Sequence, residues 1–171
     1  AGDDNLKGGS EIDTLSYVSA LSGITVTLGE GGTAFGTITS GTEGSDTLLD
    51  HFEIIKGSNY LDSFTGYNGL STAGVDYSDT LYGEGANDIL YGGLGDDTLY
   101  GGSGNDTFRG QAGNDVIDGE SETNTIDFSD ATSGVTVYLD GKDGTGATVA
   151  YQVMADGFGG QDTVTNVTRV I

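Results

Sequence analysis

Asp79, Asp88, Asp97, Asp106 and Asp115 stand nine residues apart, and Asn124 follows in phase. Large apolar residues recur two positions further on, at Leu81, Leu90, Leu99, Phe108, Ile117 and Ile126. Two chemically different residue types that hold one period over six units are the mark of a stacked repeat. Gly92–Tyr100 and Gly101–Arg109 fit G-G-x-G-x-D-x-U-x, where U is large and apolar, and Gly110–Asp118 fits it with Gln111 at the second position. Gly83–Tyr91 departs at Glu84 and Ala86, and Gly74–Tyr82 loses most of its glycines. Gly119–Asp127 has Glu122 for a glycine and Asn124 for the aspartate.

The charge says what such a repeat can meet. A formal charge of −22, from 27 acidic and 5 basic residues, opposes nucleic acid and anionic membranes and favours cations. With 32 glycines and no proline, the chain would stay disordered unless that charge were neutralised. The phased apolar residues then supply a core. Cysteine is absent, so neither disulfides nor thiolate metal sites contribute. No apolar run reaches the roughly 18 residues of a membrane-spanning helix, and the N-terminus carries no secretion signal. The chain begins inside a repeat and reads as a piece of a longer protein.

The stretch Gly74–Asp127, about a third of the chain, resembles the RTX (repeats-in-toxin), haemolysin-type nonapeptides of proteins exported by type I secretion. The resemblance implies an all-β chain folded as a right-handed parallel β-roll that binds several calcium ions. In such a roll x-U-x is a short strand with U pointing inward, and the first six residues form a glycine turn. Two nonapeptides complete one coil, so turns 18 residues apart stack. One edge then carries Asp79, Asp97 and Asp115, and the other carries Asp88, Asp106 and Asn124. Carboxylates stacked about 4.8 Å apart repel unless a cation lies between them. Calcium takes carboxylate and backbone carbonyl oxygens together, whereas magnesium keeps its waters.

The resemblance also implies ligand sets, with carbonyls from the second and fourth positions of one turn and the first and third of the stacked turn. Gly93, Gly95 and Asp97 would join Gly110, Ala112 and Asp115. Glu84, Ala86 and Asp88 would join Gly101, Ser103 and Asp106. A third site would join Asp79 and Asp97, drawing on Gly92 and Leu94. A site ending at Asn124 lacks a charge and should be weaker.

Residues 1–73 and 128–171 flank the repeat, and one continuous domain is expected. Ala1–Leu28 aligns without gaps on Ala112–Leu139 with nearly half the residues identical, so the parent unit is roughly 110 residues long. The alternating stretches Ile24–Leu28 and Val135–Leu139 read as strands, as do Phe52–Ile55 and Val167–Ile171. The flanks are expected to continue the solenoid with longer coils. Asp4, Asp13, Asp46, Asp62 and Asp162 sit in near-matching turns, either as calcium ligands or as turn formers. Asp62 lies 17 residues before Asp79, which suggests a distorted site between those two.

No H-E-x-x-H, G-x-S-x-G or P-loop occurs, so the chain is read as having no active site of its own. Its single histidine, His51, is expected to face solvent. Tyr82, Tyr91 and Tyr100 occupy the outward last position of their units, as cross-strand aromatic pairs or as a platform for sugar rings. The expected role is calcium-dependent folding and rigidity in an extracellular or cell-surface protein such as an adhesin, surface layer or filament. An accessory module of a secreted enzyme and a carbohydrate-binding module are the alternatives. Calcium is the expected partner. Head-to-tail self-association, neighbouring repeats and polysaccharide are the others, with no nucleic acid and no membrane insertion.

Overall fold

The computed structural model describes residues 2–29, 36–41, 44–49, 51–68, 77–138, 150–155 and 159–171. The start of the Gly74 unit, Thr42 and Glu43 of one expected turn, Gly157 and Phe158 of another, and Leu139 lie outside the described residues. Among the described residues there is no helix. The first flank forms β1 (Asn5–Leu6), β2 (Thr14–Ser16), β3 (Ile24–Leu28), β4 (Gly36–Ser40), β5 (Gly44–Leu48), β6 (Ile54–Lys56) and β7 (Ser63–Thr65). The nonapeptides form β8 (Thr80–Tyr82), β9 (Ile89–Leu94), β10 (Thr98–Tyr100), β11 (Thr107–Ala112), β12 (Val116–Asp118) and β13 (Thr125–Ile126). The second flank forms β14 (Thr136–Tyr138), β15 (Ala150–Ala155), β16 (Asp162–Thr165) and β17 (Arg169–Val170).

Successive nonapeptide strands alternate between two sheets. One runs β1-β5-β4-β3-β7-β9-β11-β13-β17 and the other β14-β15-β16-β12-β10-β8-β6-β2. Within the repeat every pairing is parallel: Leu99 pairs with Leu81 and Ile117, and Phe108 pairs with Leu90 and Ile126. This is a parallel β-roll. The expected x-U-x strands hold at β8, β10 and β12, while β9 and β11 run three residues further because Gly93 and Leu94 pair with Gln111 and Ala112.

Inward residues meet between the sheets. Leu81, Leu90, Leu99, Phe108 and Ile117 are fully buried, each stabilising the roll by roughly 2 kcal/mol. The same core continues into the flank through Val26, Ile38, Leu48, Ile55 and Phe64.

The flanks extend both sheets as an irregular solenoid in which hairpins stand beside the parallel coils. Parallel pairing continues through β2-β6-β8 and β3-β7-β9. Beside it, β3-β4-β5 and β14-β15-β16 pair antiparallel. Alternating stretches such as Ile24–Leu28 and Gly36–Ser40 are long enough to turn back on one another as a hairpin. The two aligned sequence copies share one strand pattern on opposite sheets. Asn5–Leu6 lies in the first sheet and its counterpart Val116–Asp118 in the second, and Thr14–Ser16 and Thr125–Ile126 are exchanged likewise.

Candidate metal centres

Each nonapeptide turn ends in a backbone N–H that must be satisfied as it enters the core, and the stacked aspartate meets that need. Asp79 N donates to Asp97 Oδ1 at 2.7 Å, Asp97 N to Asp115 Oδ1 at 2.9 Å, and Asp115 N to Asp162 Oδ1 at 3.1 Å. On the opposite edge Asp62 N donates to Asp88 Oδ1, Asp88 N to Asp106 Oδ1 and Asp106 N to Asn124 Oδ1, all at 2.8 Å. These are two columns of carboxylates, one on each edge of the roll, and every member from Asp79 to Asp115 is at most 2% exposed.

One oxygen of each carboxylate is thus spent on the backbone. The other, at Asp88, Asp97 and Asp106, is buried with no hydrogen-bond partner. Burial without a donor penalises the charged form. It pushes the Asp88 carboxyl up to about 8 and that of Asp97 up to about 9, with the neighbouring carboxylates adding to the effect. Asp62, Asp79 and Asp106 are raised for the same first reason. Two ionised carboxylates at strand spacing repel by about 3–4 kcal/mol at an intermediate dielectric, and an inner member has two such neighbours. That sum matches the whole stability of a small domain, so an ionised column requires a cation. The donor set of buried carboxylate and carbonyl oxygens suits calcium.

The glycine turns hold these columns at their spacing. At the second turn position Glu84, Gly93, Gly102, Gln111 and Glu120 all have positive φ, as do Ala86, Gly95, Gly104, Gly113 and Glu122 at the fourth. Where the sequence departs from glycine it therefore keeps a left-handed backbone under strain. Ala86→Gly is expected to raise the urea midpoint of the folded protein in calcium, a gain of about 0.5–1 kcal/mol once the added freedom of the unfolded chain is subtracted. Equilibrium unfolding followed by circular dichroism measures it.

The turn carbonyls are less free than expected. Glu84 O accepts from Ser103 N, Gly102 O from Ser121 N and Ala112 O from Gly95 N. These bonds leave each carbonyl its second lone pair. The turns carry a second ladder that the sequence reading missed. Asn105 N donates to Asn87 Oδ1, Thr123 N to Asn105 Oδ1, and Asn114 N to Asp96 Oδ1. Its signal was present as an Asn or Asp directly before each phased aspartate at 88, 97, 106 and 115.

Outside the nonapeptides the structure rearranges several expected residues. Asp62 does not stack with Asp79. It lies on the other edge against Asp88, because Ser63 pairs with Ile89 and the residues between 66 and 79 are longer than a single turn. Ile24 N donates to Asp62 Oδ1, ending that column. Asp162 joins the first edge, and Asp4 N donates to Asp46 Oδ1 at 3.0 Å while Tyr17 Oη donates to Asp46 Oδ2. Asp13 N donates to Glu53 Oε2 at 2.8 Å, and Glu53 pairs in phase with Asp79. Glu53 is a column member that the nonapeptide phase alone could not reveal.

His51 corrects the solvent-facing expectation. It is half-buried with Nδ1 3.1 Å from Glu53 Oε1 and Nε2 3.1 Å from Asp79 Oδ1. The Asp79 contact holds its pKa above the ordinary value despite burial. His51 therefore lies against the first column where Glu53 and Asp79 stack.

The family model of the RTX calcium-binding nonapeptide repeat matches in four copies, over residues 1–16, 73–108 and 100–130. The repeats belong to the RTX calcium-binding family. No curated protein matches the chain. RTX repeats are structural calcium-binding modules that take several ions, and calcium is the cofactor of this chain. The match reaches residues 1–16, where Asp4 and Asp13 stand in the same hydrogen-bonded arrangement as the inner RTX aspartates. Among the described residues no group of three or more acidic or histidine side chains is placed to hold a metal ion by itself.

Proposed function

We propose that this chain folds when extracellular calcium enters its carboxylate columns, and that it then stiffens a secreted or cell-surface protein of which it is part. The reading rests on the unpartnered buried oxygens of Asp88, Asp97 and Asp106. The residues proposed to hold calcium are Gly93, Gly95 and Asp97 with Gly110, Ala112 and Asp115, and Glu84, Ala86 and Asp88 with Gly101, Ser103 and Asp106. Asp79 with Asp97, Gly92 and Leu94 makes a third set. Asn124 Nδ2 donates to the Gly119, Ser121 and Asn166 carbonyls, so an amide occupies the end of its column where a cation would otherwise be needed.

The mechanism is electrostatic. In the calcium-poor cytosol the carboxylates repel and the chain remains extended and exportable. At extracellular calcium, ligation stabilises the folded state by mass action. A far-UV circular dichroism titration tests this. A cooperative rise in β signal with calcium, absent with magnesium and reversed by chelation, is the expected result. A protein already folded after complete calcium removal would sink the export argument and place the core in the flanks.

A sugar platform gains no support from the aromatic geometry. Tyr82 and Tyr100 stack on each other at 4.8 Å, and Lys56 covers the free face of that pair at 5.0 Å. Arg109 covers Tyr91 at 4.8 Å. Both faces of Tyr82 and one face each of Tyr91 and Tyr100 are thus engaged within the sheet, which favours the sheet-stiffening reading.

A further inference from the structure

The outer face of the first flank carries a grid of hydroxyls. Alternation along β3, β4, β5 and β7 sends Val26, Ile38, Asp46 and Phe64 inward, and all four are buried. It sends Thr25 and Thr27, Thr37 and Thr39, Ser45 and Thr47, and Ser63 and Thr65 outward. The four strands are adjacent in the order β5-β4-β3-β7. Their registers place Ser45, Thr39, Thr25 and Ser63 in one row and Thr47, Thr37, Thr27 and Thr65 in the next. Neither row is interrupted by a register shift.

Rows on a sheet lie about 6.7 Å apart along the strands, with members about 4.8 Å apart across them. The grid therefore covers roughly 14 by 7 Å. Threonine is stiff at χ1, and the side chains beneath the grid are packed, so the hydroxyl positions are held. Among the described residues no hydrogen bond within the chain engages these eight hydroxyls. Among the described residues of these four strands no acidic side chain points outward, although the chain carries −22. Asp46, the one acid on these strands, is turned inward.

A charge-free lattice of methyls and hydroxyls, each hydroxyl both donor and acceptor, complements a neutral surface that repeats donors and acceptors at similar intervals. A charged or greasy partner would find nothing to pair with there. We infer that the Thr25–Thr65 face binds ice, ordering water on its hydroxyl rows and docking on a crystal face. The prism faces of hexagonal ice repeat their oxygens at comparable spacings in two directions. Binding at this face is separate from the calcium columns and needs only that the sheet be formed.

Ice-affinity partitioning of the full chain in calcium, with folding verified by circular dichroism, tests the inference. The protein is expected to enter a slowly growing ice front and to suppress recrystallisation. Thr27→Lys combined with Thr37→Lys should reduce incorporation to that of a non-binding protein while leaving the β signal unchanged. Thr98→Lys, outward on the opposite sheet, should leave incorporation intact. The inference is overturned by exclusion of the folded wild-type protein from ice, or by equal incorporation of the double variant. Equal loss in Thr98→Lys, or retention on crystalline cellulose or chitin with exclusion from ice, overturns it as well. Failure to fold in calcium would instead count against the calcium reading, and the dichroism control separates the two.

Discussion

Replacing Gly104 or Gly113 by alanine is expected to leave the chain unfolded even in saturating calcium. Both glycines have φ far into the left-handed half of the map, at +130° and +144°. A methyl at Gly104 would overlap the Ala86 carbonyl oxygen, and one at Gly113 would overlap the Gly95 carbonyl oxygen. Those oxygens belong to the backbone of the coil beneath. They cannot retreat without breaking the stacking that aligns the carboxylates. Strain and overlap together cost more than about 3 kcal/mol, and a local shift would spoil a calcium site as well. Gly134→Ala, with nothing near its would-be methyl, should be silent. Circular dichroism in calcium gives the comparison, and a wild-type midpoint for Gly104→Ala would mean that the coils do not stack this closely.

Without calcium, stability is expected to fall steeply as pH rises. Asp88 and Asp97 have carboxyls pushed up to about 8 and about 9 by burial, against about 3.9 in an unfolded chain. A folded state that binds more protons than the unfolded one loses stability with increasing pH. Here the contribution is complete below about pH 4 and is lost as pH rises through 8 to 9. Metal-free protein should therefore show a β signal and a measurable urea midpoint near pH 5, and coil near pH 8. In calcium the sign reverses, because protons then compete with the ion for the same oxygens. Midpoints of the metal-free protein that do not change between pH 5 and 8 would show that the columns are not the seat of instability.

The roll was legible because its period is carried twice, by aspartate and by an apolar residue. Each mark alone predicts strands and edges, and together they fix which turns stack. The columns at Asp79, Asp97 and Asp115 and at Asp88, Asp106 and Asn124 follow directly. What the sequence hid depended on lengths between marks. Asp62 falls near the expected distance from Asp79, yet the pairing of Ser63 with Ile89 sets it on the other edge. Glu53 joins a column with a longer side chain in place of aspartate. Nothing local distinguishes a hairpin strand such as Gly36–Ser40 from a coil strand, because both alternate. His51 was misread because its partners, Glu53 and Asp79, are brought together by strand pairing and not by neighbouring positions.

The exchange of sheets between the two aligned sequence copies has a geometric outcome. Asp4 bonds to Asp46 on the first sheet, and its counterpart Asp115 bonds to Asp162 on the second. One copy is thus separated from the next by an odd number of half-turns. Any feature tied to a position in the unit is delivered to alternate sides of the rod. A string of such units would be two-faced, with the same chemistry reaching partners on left and right in turn. Its two sides would also carry equal loads, leaving the rod with no built-in tendency to curve.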